Sequence, residues 1–73
     1  MDYVIGYVYG DDGYHSGGVY LEATKIAVLD FLSDNADNRI VITDMLDRLI
    51  FDSEKDGLIV LAYFLNTISG GVR

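Results

Sequence analysis

The sequence predicts an α+β fold, with an N-terminal β-hairpin packed on about three short helices. Three observations predict it. Aromatic and β-branched residues crowd the first twenty positions, which hold five of the six Tyr. Apolar residues at helical spacing dominate the remainder of the chain. Clusters of Gly, Asp, Asn and Ser separate the segments. With 73 residues and 8.1 kDa the chain is one domain, 1–73, divided into a Tyr- and Gly-rich hairpin over 1–20 and a helical part over 21–73.

Residues 3–9, Tyr-Val-Ile-Gly-Tyr-Val-Tyr, read as a strand. Period two puts Tyr3, Ile5, Tyr7 and Tyr9 on one face. Gly10-Asp11-Asp12-Gly13 is a turn, and 14–20 returns as a second strand broken or bulged at Gly17-Gly18. Tyr14 and Tyr20 extend the Tyr face across the hairpin. Over 19–33 the polar Glu22, Asp30 and Ser33 fall in a narrow arc, which predicts a largely buried helix. The composition of 34–38 is that of a turn. Residues 40–42 favour a strand by type. However, Ile42, Met45, Leu46, Leu49 and Ile50 make a single helical stripe, so a helix is expected over 43–51. Ser53 and Asp56 have capping-box spacing, starting a third helix that Gly70 ends; 58–61 reads equally well as a strand.

The charge pattern excludes several classes. Twelve Asp and Glu against five Lys and Arg give −7 and a pI near 4.1. Nucleic acid and anionic membrane surfaces both demand a cationic face. The longest apolar run, residues 58–65, is far short of the ~20 residues that span a bilayer. No Lys or Arg precedes Lys25, so no secretory signal is expected. Without Cys there is neither disulfide nor thiolate metal site. A soluble cytoplasmic protein is the expectation.

Four patterns suggest chemistry, and each has a plainer reading. Tyr9-Gly10-Asp11-Asp12 matches the polymerase-palm signature whose paired Asp hold two cations. So short a chain lacks the further carboxylate strand and the template channel, leaving an acidic hairpin turn. Residues 52–59 resemble an EF-hand loop, with oxygen ligands at positions 1, 3 and 5 and Gly at 6. Position 12 is Tyr63 in place of the bidentate Glu, and Lys55 puts a cation inside the loop. His15, the single histidine, cannot make a zinc site without further N or S ligands. The dispersed carboxylates are a solvated surface, or a field that speeds capture of a basic protein. No nucleophile–base pair, phosphate loop or cofactor fingerprint is present. The chain reads as a non-enzyme with no metal and no cofactor.

A protein-binding module remains. The Tyr cluster is its most informative feature, because Tyr joins an apolar ring to a wet hydroxyl and is enriched at interfaces. Equal weight goes to a face that merely covers the core. The expected contact residues are Tyr3, Ile5, Tyr7, Tyr9 and Tyr14, with Asp11 and Asp12 steering approach. A partly basic peptide would add along the edge of strand 3–9.

The opening MDYVIGYVYGDDGY, the length and the acidic balance together resemble the small RNA-polymerase-binding regulators of lytic Xanthomonas bacteriophages. The resemblance implies a protein of the host bacterial cytoplasm that binds the N-terminal segment of the polymerase β′ subunit, with or without an elongation factor. It implies inhibition of initiation by the host enzyme and antitermination during elongation. It carries no residue roles. The alternatives are a nucleic-acid mimic acting on a defence nuclease (anti-restriction or anti-CRISPR) and an antitoxin or immunity protein. The mimic would show a one-sided acidic stripe and compete with DNA.

Overall fold

A computed structural model describes residues 2–69. Four antiparallel strands form one sheet, β1 (Tyr3–Tyr9), β2 (Val19–Glu22), β3 (Arg39–Thr43) and β4 (Leu49–Asp52), in the order β2-β1-β3-β4. Two helices, α1 (Lys25–Asp34) and α2 (Leu58–Ser69), are the others among the described residues. The α+β class agrees with the sequence. The composition of the fold differs, with two more strands and one helix fewer than expected.

β1 forms where aromatic and β-branched side chains alternate, and it sits inside the sheet. Val4 pairs with Leu21 of β2, while Gly6 and Val8 pair with Ile42 and Ile40 of β3. These residues make one face, and both helices pack on it. The core is Val4, Ala23, Val28, Ile40, Ile42, Phe51 and Phe64, with Phe31, Leu32, Leu61 and Leu65 packed against it.

The expected helix over 19–33 is divided. Val19–Glu22 is the return strand, and the Ala23 N–H donates to the Asp2 carbonyl. Thr24 is extended and caps α1, its Oγ1 accepting from the Ala27 N–H at 3.2 Å. Asn35 closes the other end through Nδ2 to the Phe31 carbonyl at 2.8 Å. α1 is not the buried centre of the molecule. Val28 alone in it is fully buried, and Ile26 and Leu29 stay exposed, because two helices share a single sheet face.

Residues 43–51 are not helical. Asp44 reverses the chain instead: its Oδ1 accepts the N–H groups of Leu46 and Arg48, both at 2.9 Å, and its Oδ2 accepts Arg48 Nε at 2.7 Å. Asp47 takes up the left-handed conformation, φ 66°, that completes the turn. The helical stripe is a coincidence of two strands and a tip. Ile42 lies in β3, Met45 and Leu46 are exposed at the turn, and Ile50 is the extra residue of a β-bulge opposite Ile42 and Thr43. The bulge lets both Ile50 and Phe51 reach the apolar side.

The expected capping box also fails. Ser53 Oγ accepts the Ile40 N–H at 2.8 Å and Asp56 Oδ2 accepts the Asp52 N–H at 2.9 Å, so both side chains tie the β4 end to the sheet. The helix starts later, at Leu58, and 58–61 is helical. Gly70 as its stop lies outside the described residues.

Thr43 Oγ1 is buried and has no hydrogen-bond partner among the described residues. A buried hydroxyl with no partner loses its hydration for nothing. Thr43→Val, which keeps the shape, is therefore expected to raise stability by about 1 kcal/mol, read as the denaturant midpoint.

Candidate functional site

Among the described residues, the second face of the sheet carries no helix. Strand alternation places Tyr3, Ile5, Tyr7 and Tyr9 of β1 there, and the pairing brings Tyr20 opposite Ile5, Glu22 opposite Tyr3, Val41 opposite Tyr7 and Arg39 opposite Tyr9. Tyr3 is 48% exposed and Tyr20 67%, while Ile5, Tyr7, Tyr9 and Val41 are half-buried among their neighbours. This is an aromatic floor open to solvent.

Residues 10–18 form the loop at its end. Gly10 donates to the Tyr14 carbonyl at 2.9 Å, and Gly13 turns the chain at φ 85°. Asp12 Oδ1 accepts the Tyr14 N–H at 3.0 Å, which fixes the acidic tip. His15 bridges back to Tyr9 in the strand pairing. Its ring meets Tyr7 and Tyr9 edge-on, at centroid distances of 4.8 and 5.1 Å. Its Nδ1 accepts the Gly17 N–H at 3.0 Å. His15 is thus a wedge that holds the loop against the floor. Gly18 lets the loop re-enter the sheet: a Cβ there would lie 2.5 Å from Ile5 Cγ2 and 3.1 Å from Tyr7 Cε1.

On the β3 side of Tyr9, at this same end, the floor is held by charge. The Arg39 guanidinium lies 5.0 Å from the Tyr9 ring centroid and grips Asp52 with two bonds, Nη2 to Oδ2 at 2.6 Å and Nε to Oδ1 at 3.1 Å. Asp52 is 2% exposed, and its Oδ1 also accepts the Glu54 N–H. The Arg39 bonds hold the Asp52 carboxyl below the usual carboxylate range, against the opposing effect of burial. Asp44 is lowered too, chiefly by the Arg48 N–H. The EF-hand reading fails here, because its first ligand is already committed to Arg39. Among the described residues no group of three or more His, Asp and Glu could hold a metal ion, and no helix is long and apolar enough to cross a membrane.

The structure brings Tyr3, Ile5, Tyr7 and Tyr9 onto one surface. Asp11 and Asp12 stand at the loop beyond Tyr9. Tyr14 is exposed on that loop and outside the strand register, so it does not extend the floor; Tyr20 does. β1 offers no free edge along its length, because β2 takes Tyr3–Gly6 on one side and β3 takes Ile5–Tyr9 on the other, so the expected peptide addition along strand 3–9 is not available. Sequence reasoning missed Arg39, Val41 and Glu22. Only the β1–β3 and β1–β2 pairings bring them to the face, and no local signal marks them.

No family model, curated protein or solved structure matches this chain.

Proposed function

We propose that this protein acts by occupying a surface of another protein, through the open sheet face of β1, β2 and β3 and the loop over 10–18. The observation that carries the reading is the uncovered floor of Tyr3, Ile5, Tyr7, Tyr9 and Tyr20. A two-layer fold hides apolar side chains on one face only; aromatic rings kept on the other favour contact with a partner. Loop and floor are tied together by His15, so the partner would meet a preformed surface and lose little entropy in ordering it.

Charge sets the kind of partner. Asp11 and Asp12 at the tip and Glu22 at the rim favour a segment that carries Lys or Arg beside apolar residues. Tyr faces accept both, by packing and by cation–π contact. With the resemblance carried by the opening residues, the length and the acidic balance together, the target we propose is the N-terminal segment of the bacterial RNA polymerase β′ subunit. Its capture would inhibit initiation by the host enzyme and promote antitermination. The docking is on the face of the sheet rather than along a strand edge. A nucleic-acid mimic is less favoured, since Asp44 and Asp52 spend their charge on Arg48 and Arg39 and are lost to any acidic stripe.

Kinetics of binding to purified RNA polymerase test the proposal. Tyr7→Ala with Tyr20→Ala is expected to raise the off-rate at least about 10-fold, as loss of aromatic anchors does. Asp11→Asn with Asp12→Asn is expected to slow association at low salt and to have little effect at high salt. An unchanged affinity in both variants, or displacement of the complex by DNA, contradicts the reading.

A further inference from the structure

We infer that His15 is a proton-sensitive latch: neutral, it pins residues 10–18 to the aromatic floor, and its protonation loosens them. The latch is a property of the free protein. Its effect on partner capture rests on the sheet face and this loop being the binding surface, as proposed.

One contact decides the sign. The Gly17 N–H donates to His15 Nδ1 at 3.0 Å. A backbone N–H only donates, so Nδ1 is bare and the neutral ring carries its one proton on Nε2. An imidazolium carries protons on both nitrogens. Its Nδ1–H then points at the Gly17 N–H, donor against donor, and the bond turns into a repulsion. Histidine is the side chain whose ordinary charge change falls between about pH 5 and 8. His15 is the single histidine of the chain.

The loop has few other ties to the sheet. Gly10 N–H to the Tyr14 carbonyl, Gly13 N–H to the Gly10 carbonyl and Tyr14 N–H to Asp12 Oδ1 all close within residues 10–14. These bonds keep the shape of the tip and do not fix its place. His15 fixes it, through the bridge to Tyr9 and the ring contacts with Tyr7 and Tyr9. Gly17, at φ 129°, and Gly18 follow directly, so the chain can swivel just beyond the latch.

The surroundings offer the imidazolium no substitute bond. From β1 the ring meets the phenols of Tyr7 and Tyr9, and from β3 Arg39 stands against the Tyr9 ring. On β2 the nearest titratable group in register is Tyr20, opposite Ile5. The loop itself brings Asp11, Asp12 and Tyr14. Among the described residues no carboxylate forms an ion pair with the ring. The Tyr rings attract a cation, so the imidazole stays near them and the chain at 16–18 gives way. The partner then has to order what was preformed. The new positive charge acts in the same direction, offsetting Asp11 and Asp12 where a basic segment approaches.

Amide and ring NMR of the free protein from about pH 7.5 to about pH 5.5 tests the latch. The Gly17 amide signal is expected to move in step with the His15 ring signals. His15→Asn places an acceptor where Nδ1 stands and carries no titrating proton, so its Gly17 amide is expected to hold still. His15→Phe keeps a ring without the acceptor, and its loop signals at pH 7.5 are expected to resemble those of the acid form. A Gly17 amide that stays fixed while His15 titrates overturns the latch. So does a Gly17 amide that moves equally in His15→Asn. Binding to purified RNA polymerase tests the consequence separately. From the upper to the lower pH the wild type is expected to lose about 5-fold more affinity than His15→Asn. Equal losses, with the loop loosened in the free protein, would count against the loop as part of the binding surface and leave the latch standing.

Discussion

Asp52→Asn is expected to unfold about 10 °C below the parent protein, from a loss of about 2 kcal/mol and the steep dependence of Tm on stability in so small a domain. The carboxylate is buried, takes two bonds from Arg39 and one from the Glu54 N–H, and its backbone carbonyl accepts from Lys55 and Asp56. An amide of the same shape turns an N–H₂ toward the guanidinium and leaves a donor facing a donor. The pH dependence comes from the same contact. Asp52 and Asp44 titrate lower in the folded protein than in the unfolded chain. The unfolded state therefore binds protons first, and the stabilisation is fully present above the ordinary carboxylate value of about 3.9. It is lost as pH falls through that value toward the lowered folded one. The parent protein is expected to lose Tm steeply below about pH 4, and Asp52→Asn to show a shallower slope. Equal slopes in thermal melts of the two proteins would exclude Asp52 as a main contributor.

Gly6→Val is expected to be the other most damaging single change. Gly6 lies on the core face of β1, and a Cβ there would meet Phe31 Cε2 at 2.6 Å, Phe31 Cζ at 2.7 Å and Leu21 Cδ1 at 3.1 Å. The Phe31 ring must swing off the sheet or β1 must bend. Overpacking of this kind costs about 2 kcal/mol even after the better strand propensity of Val. Because Gly6 lies between Ile5 and Tyr7, a bent β1 also disturbs the aromatic floor. Phe31→Leu should make room, so the double variant is expected to be more stable than the sum of the two single losses. Strict additivity in chemical denaturation would show that the ring and the strand do not compete for this space.

What is legible in the sequence is local. The alternation over residues 3–9 places Tyr3, Ile5, Tyr7 and Tyr9 on one face, and the structure keeps them there. Composition starts the return strand too early, because Tyr14 resembles a strand residue whereas Gly17 and Gly18 delay re-entry to Val19. The stripe from Ile42 to Ile50 satisfies helical spacing, yet an Asp44-centred turn and a bulge at Ile50 outweigh it. Such a turn is held by one carboxylate and leaves no periodic trace. The Arg39–Asp52 clamp is beyond sequence reasoning for another reason. The two residues are thirteen apart, and only the β3–β4 pairing brings them together. On spacing alone, Asp52 looks like the first ligand of a calcium loop.

Docking on the open sheet face is tested by amide chemical-shift mapping during titration with a peptide of the polymerase β′ N-terminal segment. Saturable shifts are expected over β1, β2, β3 and residues 10–18, with broadening of the Tyr7, Tyr9 and Tyr20 rings and little change along α2. Shifts concentrated on the helices, or none at saturating peptide, would rule out docking of this segment on the sheet face.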